Sequence, residues 1–331
     1  MKKKKDNLAL KVEHLSIGIQ SDKLISIVDD VSFSLFEGEI FGLVGESGCG
    51  KTLTSMGIVR MPPEPNGKIL SGEITLYLNG TEIRLDQLSE QEIRKIRGAE
   101  IGVIFQEPFM ALNPLYTVEH HLKELYIFHK EEFKKKQISF ENRVVDLLKK
   151  MNFPQVDTIL RSYPHQLSGG MLQRIVILLA ILLKPKLVIA DEPTTALDVT
   201  VQAQIMNILK ELQEEENATI LLITHNMGLL AQYADRLAVM YAGKIVEQTD
   251  VERFLNQPLH PYSQGLLKAI PDLDVEKTIQ GIPGQVPPPE LYPKGCRFEN
   301  RCSYRFELCK NEPKPISFDQ HIVYCWKYSS N

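Results

Sequence analysis

One octapeptide, Gly45-Glu46-Ser47-Gly48-Cys49-Gly50-Lys51-Thr52, restricts the fold more than any other part of this chain. It matches G-x-x-x-x-G-K-[ST] and follows the apolar run Ile40-Phe41-Gly42-Leu43-Val44, which suits a buried parallel strand. A strand, a glycine-rich turn and a helix, in that order, make a phosphate cradle. The glycines let backbone N–H groups close around phosphate oxygens. Lys51 supplies positive charge to the β- and γ-phosphates, and Thr52 offers a hydroxyl to Mg²⁺. The helix that follows points its positive end inward. The bland alternative is a glycine-rich turn with no ligand; the complete motif and its preceding strand weigh against it. Cys49, inside the loop, reads as a small tolerated residue.

A second segment extends this chemistry. Leu187-Val188-Ile189-Ala190 reads as a buried strand that ends in Asp191-Glu192. Asp191 at a strand terminus suits Mg²⁺ held through water, and Glu192 suits a general base that polarises attacking water. An Asp-Glu pair alone is usually a solvated turn; beside a phosphate loop it points to hydrolysis. A third segment, Leu167-Ser168-Gly169-Gly170-Met171, opens a long helix over Met171–Leu183. Its hydroxyl, two backbone N–H groups and helix N-terminus form another anion site. Alone it would be an ordinary helix cap. With two phosphate devices in one chain, the simplest geometry is two subunits facing head to tail, each completing the other's site.

Around these segments the chain reads as α/β. Val31–Leu35 and Glu73–Leu78 alternate as half-buried antiparallel strands, the second before an Asn79-Gly80 turn. From about 107 to 170 charged residues become dense, and Glu119–Phe128 and Arg143–Met151 read as amphipathic helices. This stretch is expected to be a helical subdomain inserted into the core. Thr219–Thr224 is a second buried strand, Val201–Glu216 a helix before it, and Leu237–Tyr241 with Lys244–Gln248 a hairpin around Ala242-Gly243. From about Gln257 prolines accumulate, which predicts an extended appendage and not a second large core. The longest apolar run, Ile175 to Leu183, is nine residues, against roughly 20 for a membrane span. A net charge of −4 gives no global signal for nucleic acid, so no nucleic-acid partner is expected. The Lys2–Lys5 run lacks an apolar stretch after it and reads as a solvated terminus, not a signal peptide.

Taken together, these segments resemble the ABC ATPases. Gly45–Thr52 resembles Walker A, Asp191-Glu192 the end of Walker B, and Leu167–Met171 the signature motif. Gln106, after Ile101–Phe105, resembles the Q-loop glutamine; Ala196-Leu197-Asp198 the D-loop; and His225, after Thr219–Thr224, the switch histidine. The resemblance narrows to the oligopeptide/dipeptide (peptide/nickel) importer subfamily through Gln106-Glu107-Pro108, Leu112-Asn113-Pro114, Tyr163–Gln166, His260-Pro261-Tyr262 and Cys296-Arg297-Phe298. It implies a P-loop NTPase core with an antiparallel β subdomain, the inserted helical subdomain, and a Pro/Cys-rich C-terminal extension. The implied domains are 1–256 and 257–331. It also implies that Gly45, Ser47, Gly48, Cys49, Gly50, Lys51, Thr52, Gln106 and Asp191 bind ATP, with Mg²⁺ at Thr52, Gln106 and Asp191. Glu192, His225 and Gln106 would be catalytic, while Ser168, Gly169 and Gly170 would act on the opposite subunit's ATP. The implied partners are two transmembrane permease subunits, a second related ATPase and, indirectly, an external substrate-binding protein, at the cytoplasmic face of the membrane. The implied function is ATP-driven import of oligopeptides or dipeptides; nickel or glutathione import is the alternative within the subfamily. A soluble ABC ATPase acting on ribosomes or DNA is the alternative of another class, disfavoured by a single P-loop and no long heptads. Two positions depart from the family pattern. Ile19 stands where an aromatic residue usually stacks on adenine, and Leu172 where Arg or Lys is common.

Four of the five cysteines, Cys296, Cys302, Cys309 and Cys325, fall in the last 36 residues. Without a signal peptide, clustered cysteines suggest metal before disulfide. Their spacing matches neither the short zinc knuckles nor the common bacterial ferredoxin run, so by itself it gives only four possible thiolate ligands. The subfamily resemblance implies a [4Fe-4S] cluster at these four, with zinc as the alternative. Arg297, Arg301 and Arg305 lie among them and are expected to offset negative charge on a cluster.

Overall fold

A computed structural model describes residues 7–153, 155–195, 197–269 and 281–329. In chain order its first elements are β1 Leu8–Gln20, β2 Leu24–Phe36, β3 Ile40–Val44, α1 Lys51–Ile58, β4 Gly67–Leu78, β5 Thr81–Arg84, α2 Glu90–Ile96 and β6 Ile101–Ile104. A helical stretch follows: α3 Val118–Phe128, α4 Lys130–Lys135, α5 Phe140–Lys150, α6 Val156–Arg161 and α7 Gly169–Ile181. Then come β7 Leu187–Asp191, α8 Val199–Glu216, β8 Thr219–Thr224, α9 Met227–Tyr233, β9 Arg236–Tyr241, β10 Lys244–Asp250, α10 Val251–Asn256, α11 Pro261–Lys268, β11 Ile316–Phe318 and β12 His321–Val323. The chain forms two compact units. One is built on Phe36–Glu39 and Gln87–Leu222, the other on Leu10–Leu35, Ile40–Asp86 and the chain from Ile223 onward.

The second unit carries the phosphate-loop motif. Its β3 is buried at every residue and pairs in parallel with β9, Gly42 opposite Leu237. Such a strand has no solvated face, which is why its sequence runs apolar without alternation. A separate antiparallel sheet in the order β2-β1-β4-β5 supplies the alternating strands. Leu78 pairs with Thr81 across Asn79 (φ 51°) and Gly80 (φ 80°), the left-handed pair that a two-residue hairpin requires.

The expectation of an extended appendage needs correction. The C-terminal chain folds back: β12 pairs antiparallel with β10, Glu247 opposite Val323, and β11 with β12. The reason is a buried charge. Glu247 is fully buried on β10, and its carboxylate accepts from Leu259 N (2.8 Å), His260 N (2.7 Å) and His321 Nε2 (2.7 Å). Burial acts to raise the pKa of this carboxyl, but these donors prevail and hold it below its usual range. An ionised group at such depth demands donors, and the C-terminal segment provides these three.

The first unit holds β6 and β7 in parallel, Gly102 opposite Val188, together with the helices from α2 to α8. In α5, Val144, Leu147 and Leu148 bury one stripe, as the helical period demands. By contrast α7 is apolar nearly all round and buried from Leu172 to Ile181 apart from a few positions. Among the described residues no helix is long and apolar enough to cross a membrane.

Candidate active site

In the second unit, the loop from Gly45 to Gly50 joins β3 to α1. Gly50 caps α1 at φ 105° with no side-chain hydrogen bond, so the helix opens onto the loop with its N–H groups uncapped by a side chain. Gly45 has no room for a side chain: a Cβ there would stand 2.1 Å from the carbonyl oxygen of Met240. Lys51 is nearly buried, and its Nζ donates to the carbonyls of Gly45 (2.8 Å) and Glu46 (3.0 Å), folded over the loop mouth. Cys49 is fully buried and burial pushes its thiol pKa up, in keeping with a packing residue. The loop thus has the backbone, cation and helix end that a nucleotide phosphate requires.

Two residues hold this loop in a role that sequence reasoning missed. The Tyr262 hydroxyl on α11 accepts from Glu46 N at 2.8 Å. The Glu46 carboxylate takes both arms of the Arg301 guanidinium, at 2.6 Å and 3.0 Å. These partners lie 216 and 255 positions away in sequence, beyond any local signal. Arg301 was expected to serve the cysteines, as was Arg297; that expectation is corrected, since Arg297 pairs with Asp29 and the Ala242 carbonyl. Arg305 is exposed.

In the first unit the acidic pair sits at the end of β7. Asp191 is 3% exposed, and Glu192 follows at φ 44°, a left-handed conformation that non-glycine residues adopt at a cost. That turn carries the Glu192 carboxylate to the Thr195 hydroxyl, which donates at 2.7 Å, and to Gln106 Nε2 at 3.5 Å. Gln106 and Glu192, both singled out from sequence, are therefore neighbours. Thr195 was missed; its signal is the position three residues after Glu192, where a hydroxyl turns back onto the preceding acid. Ser168 caps α7, accepting from Met171 N at 3.4 Å, and Asp198 caps α8, accepting from Val201 N at 3.0 Å. Gly169 and Gly170 form the first turn of α7, and a Cβ on Gly169 would meet nothing within 4 Å. Leu172 is fully buried, so its departure from a basic residue is absorbed by packing. Ala196 lies outside the described residues. His225 of the second unit is exposed directly after β8.

The family model described as ABC transporter matches residues 28–195, and that of the oligopeptide/dipeptide transporter C-terminal region matches 246–309. The chain is 43% identical over 307 residues to the oligopeptide transport ATP-binding protein AppD of Bacillus subtilis, covering 92% of each. The chain belongs to the ABC transporter family. It is also 42% identical to the dipeptide transport ATP-binding protein DppD of Escherichia coli, covering 93% of this chain and 92% of that one. Among solved structures, the dimeric bacterial ABC transporter cassette MJ0796 covers 73% of the chain at TM-score 0.62 and 27% identity. ATP and Mg²⁺ are typical of ABC ATPases, the class to which this chain belongs.

The cysteines of this ABC ATPase form a second group of interest. Cys296 N donates to the Cys309 carbonyl at 2.8 Å. Burial pushes the Cys296 thiol up to about 12, and the proximity of Cys309, Cys325 and Cys302 adds to it. Burial likewise raises the thiols of Cys302 and Cys325. Four thiols sharing one neighbourhood suit a thiophilic metal in kind and number. Among the described residues, however, no three His, Cys, Asp or Glu side chains stand in metal-holding arrangement.

Proposed function

We propose that this chain is the ATP-hydrolysing subunit of an importer of oligopeptides or dipeptides. The observation that carries the reading is similarity along nearly the whole chain, 91–93% of it, to ATP-binding proteins of oligopeptide and dipeptide transport. In this reading residues 1–256 are the nucleotide-binding domain, with 107–170 as its helical subdomain, and 257–331 the importer-type extension. It sits peripherally at the cytoplasmic face, beside two permease subunits and a second, related ATPase. An external binding protein delivers the peptide.

The site residues then take these roles. The loop amides of Gly45, Ser47, Gly48, Cys49 and Gly50 hold the phosphates. Lys51 leaves the Gly45 and Glu46 carbonyls to meet the β- and γ-phosphates. Thr52, Gln106 and Asp191 would hold Mg²⁺, which when bound would supply positive charge against the phosphates. Glu192 accepts the proton of the attacking water, with Thr195 and Gln106 fixing its carboxylate. His225 hydrogen-bonds the γ-phosphate. Ser168, Gly169 and Gly170 present the α7 N-terminus to ATP on the partner ATPase, and Asp198 lies at the same junction. Closure on ATP and reopening after hydrolysis switch the permease between its two states.

Cys296, Cys302, Cys309 and Cys325 would hold a [4Fe-4S] cluster, zinc being the other thiophilic candidate. The number and kind of the thiol donors support this. Iron, sulfide and zinc contents of anaerobically purified protein decide it; colourless protein with stoichiometric zinc removes the cluster. The transport reading is tested by uptake in cells whose only copy carries Glu192→Gln, offered labelled peptides, nickel and glutathione. Loss of peptide uptake alone upholds it. Loss of nickel or glutathione uptake with peptides still entering replaces the substrate.

A further inference from the structure

Arg301 stands one residue before Cys302 in the C-terminal segment, yet its side chain does not serve the cysteines. It is 6% exposed, and all five of its N–H groups have partners. Nε donates to the Pro283 carbonyl at 2.8 Å, and one terminal nitrogen reaches Glu46 Oε2 at 2.6 Å and the Tyr241 hydroxyl at 3.4 Å. The other reaches Glu46 Oε1 at 3.0 Å and the Ile282 carbonyl at 3.3 Å. This is a two-pronged pair to a carboxylate, the strongest geometry an arginine offers.

Glu46 is the second residue of the phosphate loop, and its position poses an electrostatic problem. A carboxylate in a loop that receives a triphosphate repels that ligand. The same residue contributes its carbonyl to Lys51 and its N–H to Tyr262. Movement of its side chain therefore moves the backbone on which Lys51 rests. The fork of Arg301 cancels the carboxylate's charge and fixes its place.

We propose that Arg301 is a positioning residue for nucleotide binding: it neutralises Glu46 and locks the phosphate loop in its receptive shape. The cysteine-bearing segment thereby becomes part of the nucleotide site. The proposal rests on the reading that Gly45–Thr52 binds ATP.

The test is equilibrium binding of a fluorescent ATP analogue to the full chain, with thermal unfolding measured in parallel. Arg301→Ala is expected to weaken binding about tenfold or more, since it leaves a half-buried carboxylate uncompensated beside the phosphates. Arg301→Lys keeps the charge but loses the fork, so its loss is smaller. The deciding variant is Arg301→Ala with Glu46→Gln. Removing the orphaned charge restores most of the affinity if neutralisation is the role, whereas a merely structural arginine gives no such rescue. If Arg301→Ala does not fold, Arg301→Gln carries the same comparison. Wild-type affinity in the single variant, or no recovery in the double, overturns the proposal. Failure of the wild-type chain itself to bind ATP overturns instead the reading of the loop.

Discussion

Acid should loosen the C-terminal segment through one histidine. His260, at the start of α11, is 1% exposed, and burial lowers its pKa from 6.5 to about 4. Its Nδ1 accepts from Tyr262 N at 3.1 Å, a role only the neutral ring can fill. The nearest charge, Glu247, favours protonation but does not outweigh burial. Because the folded pKa lies below the unfolded one, the unfolded chain binds the extra proton between pH 6.5 and about 4. Stability therefore rises with pH across that window and is lost as pH falls through it. At about 1.36 kcal/mol per pH step below 6.5, acidification from pH 7 to pH 5 costs about 2 kcal/mol. Glu247, held below its usual range, adds its own loss only at lower pH. His129, also lowered by burial, contributes with the same sign elsewhere in the chain. The assay is therefore a difference: urea midpoints of wild type and His260→Asn, compared at pH 7 and pH 5. Asparagine keeps an acceptor for Tyr262 N and removes the titration. The wild type should lose about 2 kcal/mol more than the variant on acidification. Equal losses in the two proteins would refute the assignment.

Three substitutions probe the site more directly. Glu192→Gln should lower phosphate release by about 10²-fold or more while ATP binding, measured by equilibrium dialysis, is retained, since the change removes the base and spares the cradle. Thr195→Val removes the hydroxyl that fixes the Glu192 carboxylate at 2.7 Å; steady-state kinetics should show a several-fold lower kcat with KM nearly unchanged, about 1 kcal/mol for one hydrogen bond. Tyr262→Phe deletes the acceptor of Glu46 N–H and should weaken ATP several-fold, less than loss of Arg301, because a neutral hydrogen bond is worth about 1 kcal/mol. Unchanged ATP affinity in Tyr262→Phe would mean that the loop does not need that tether.

The legible parts of the fold are those whose causes are local. The buried strands β3, β7 and β8 announced themselves as unbroken apolar runs, and Asn79-Gly80 as a left-handed turn. The phosphate loop was visible because its glycines, lysine and hydroxyl are contiguous. Gln106 and Glu192 were singled out separately, and the structure sets their side chains 3.5 Å apart. The C-terminal segment was not legible in the same way. Its prolines read as an extended tail, because the force that folds it back is the demand of one buried carboxylate on β10 for donors more than ten residues downstream. Nor does any spacing rule connect Arg301 to Glu46. The arginines among the cysteines drew an electrostatic reading that fitted their neighbours in sequence, while their partners in space were acids at positions 29 and 46.

That difference bears on what the C-terminal segment does. A segment that only hangs on the sheet edge would engage β10 and leave the phosphate loop alone. This one meets Glu46 twice, its backbone through Tyr262 and its carboxylate through Arg301. The two contacts come from different parts of the segment, α11 and the run between Cys296 and Cys302, and neither substitutes for the other. One supplies an acceptor to an amide; the other cancels a charge. Both draw on groups that burial makes costly to leave unpaired. The loop and the segment are therefore stabilised together: Phe298 of the cysteine-bearing run packs on Tyr262 of α11, ring centroids 5.4 Å apart, so a change that loosens that run reaches the phosphate site both through Arg301 and through α11.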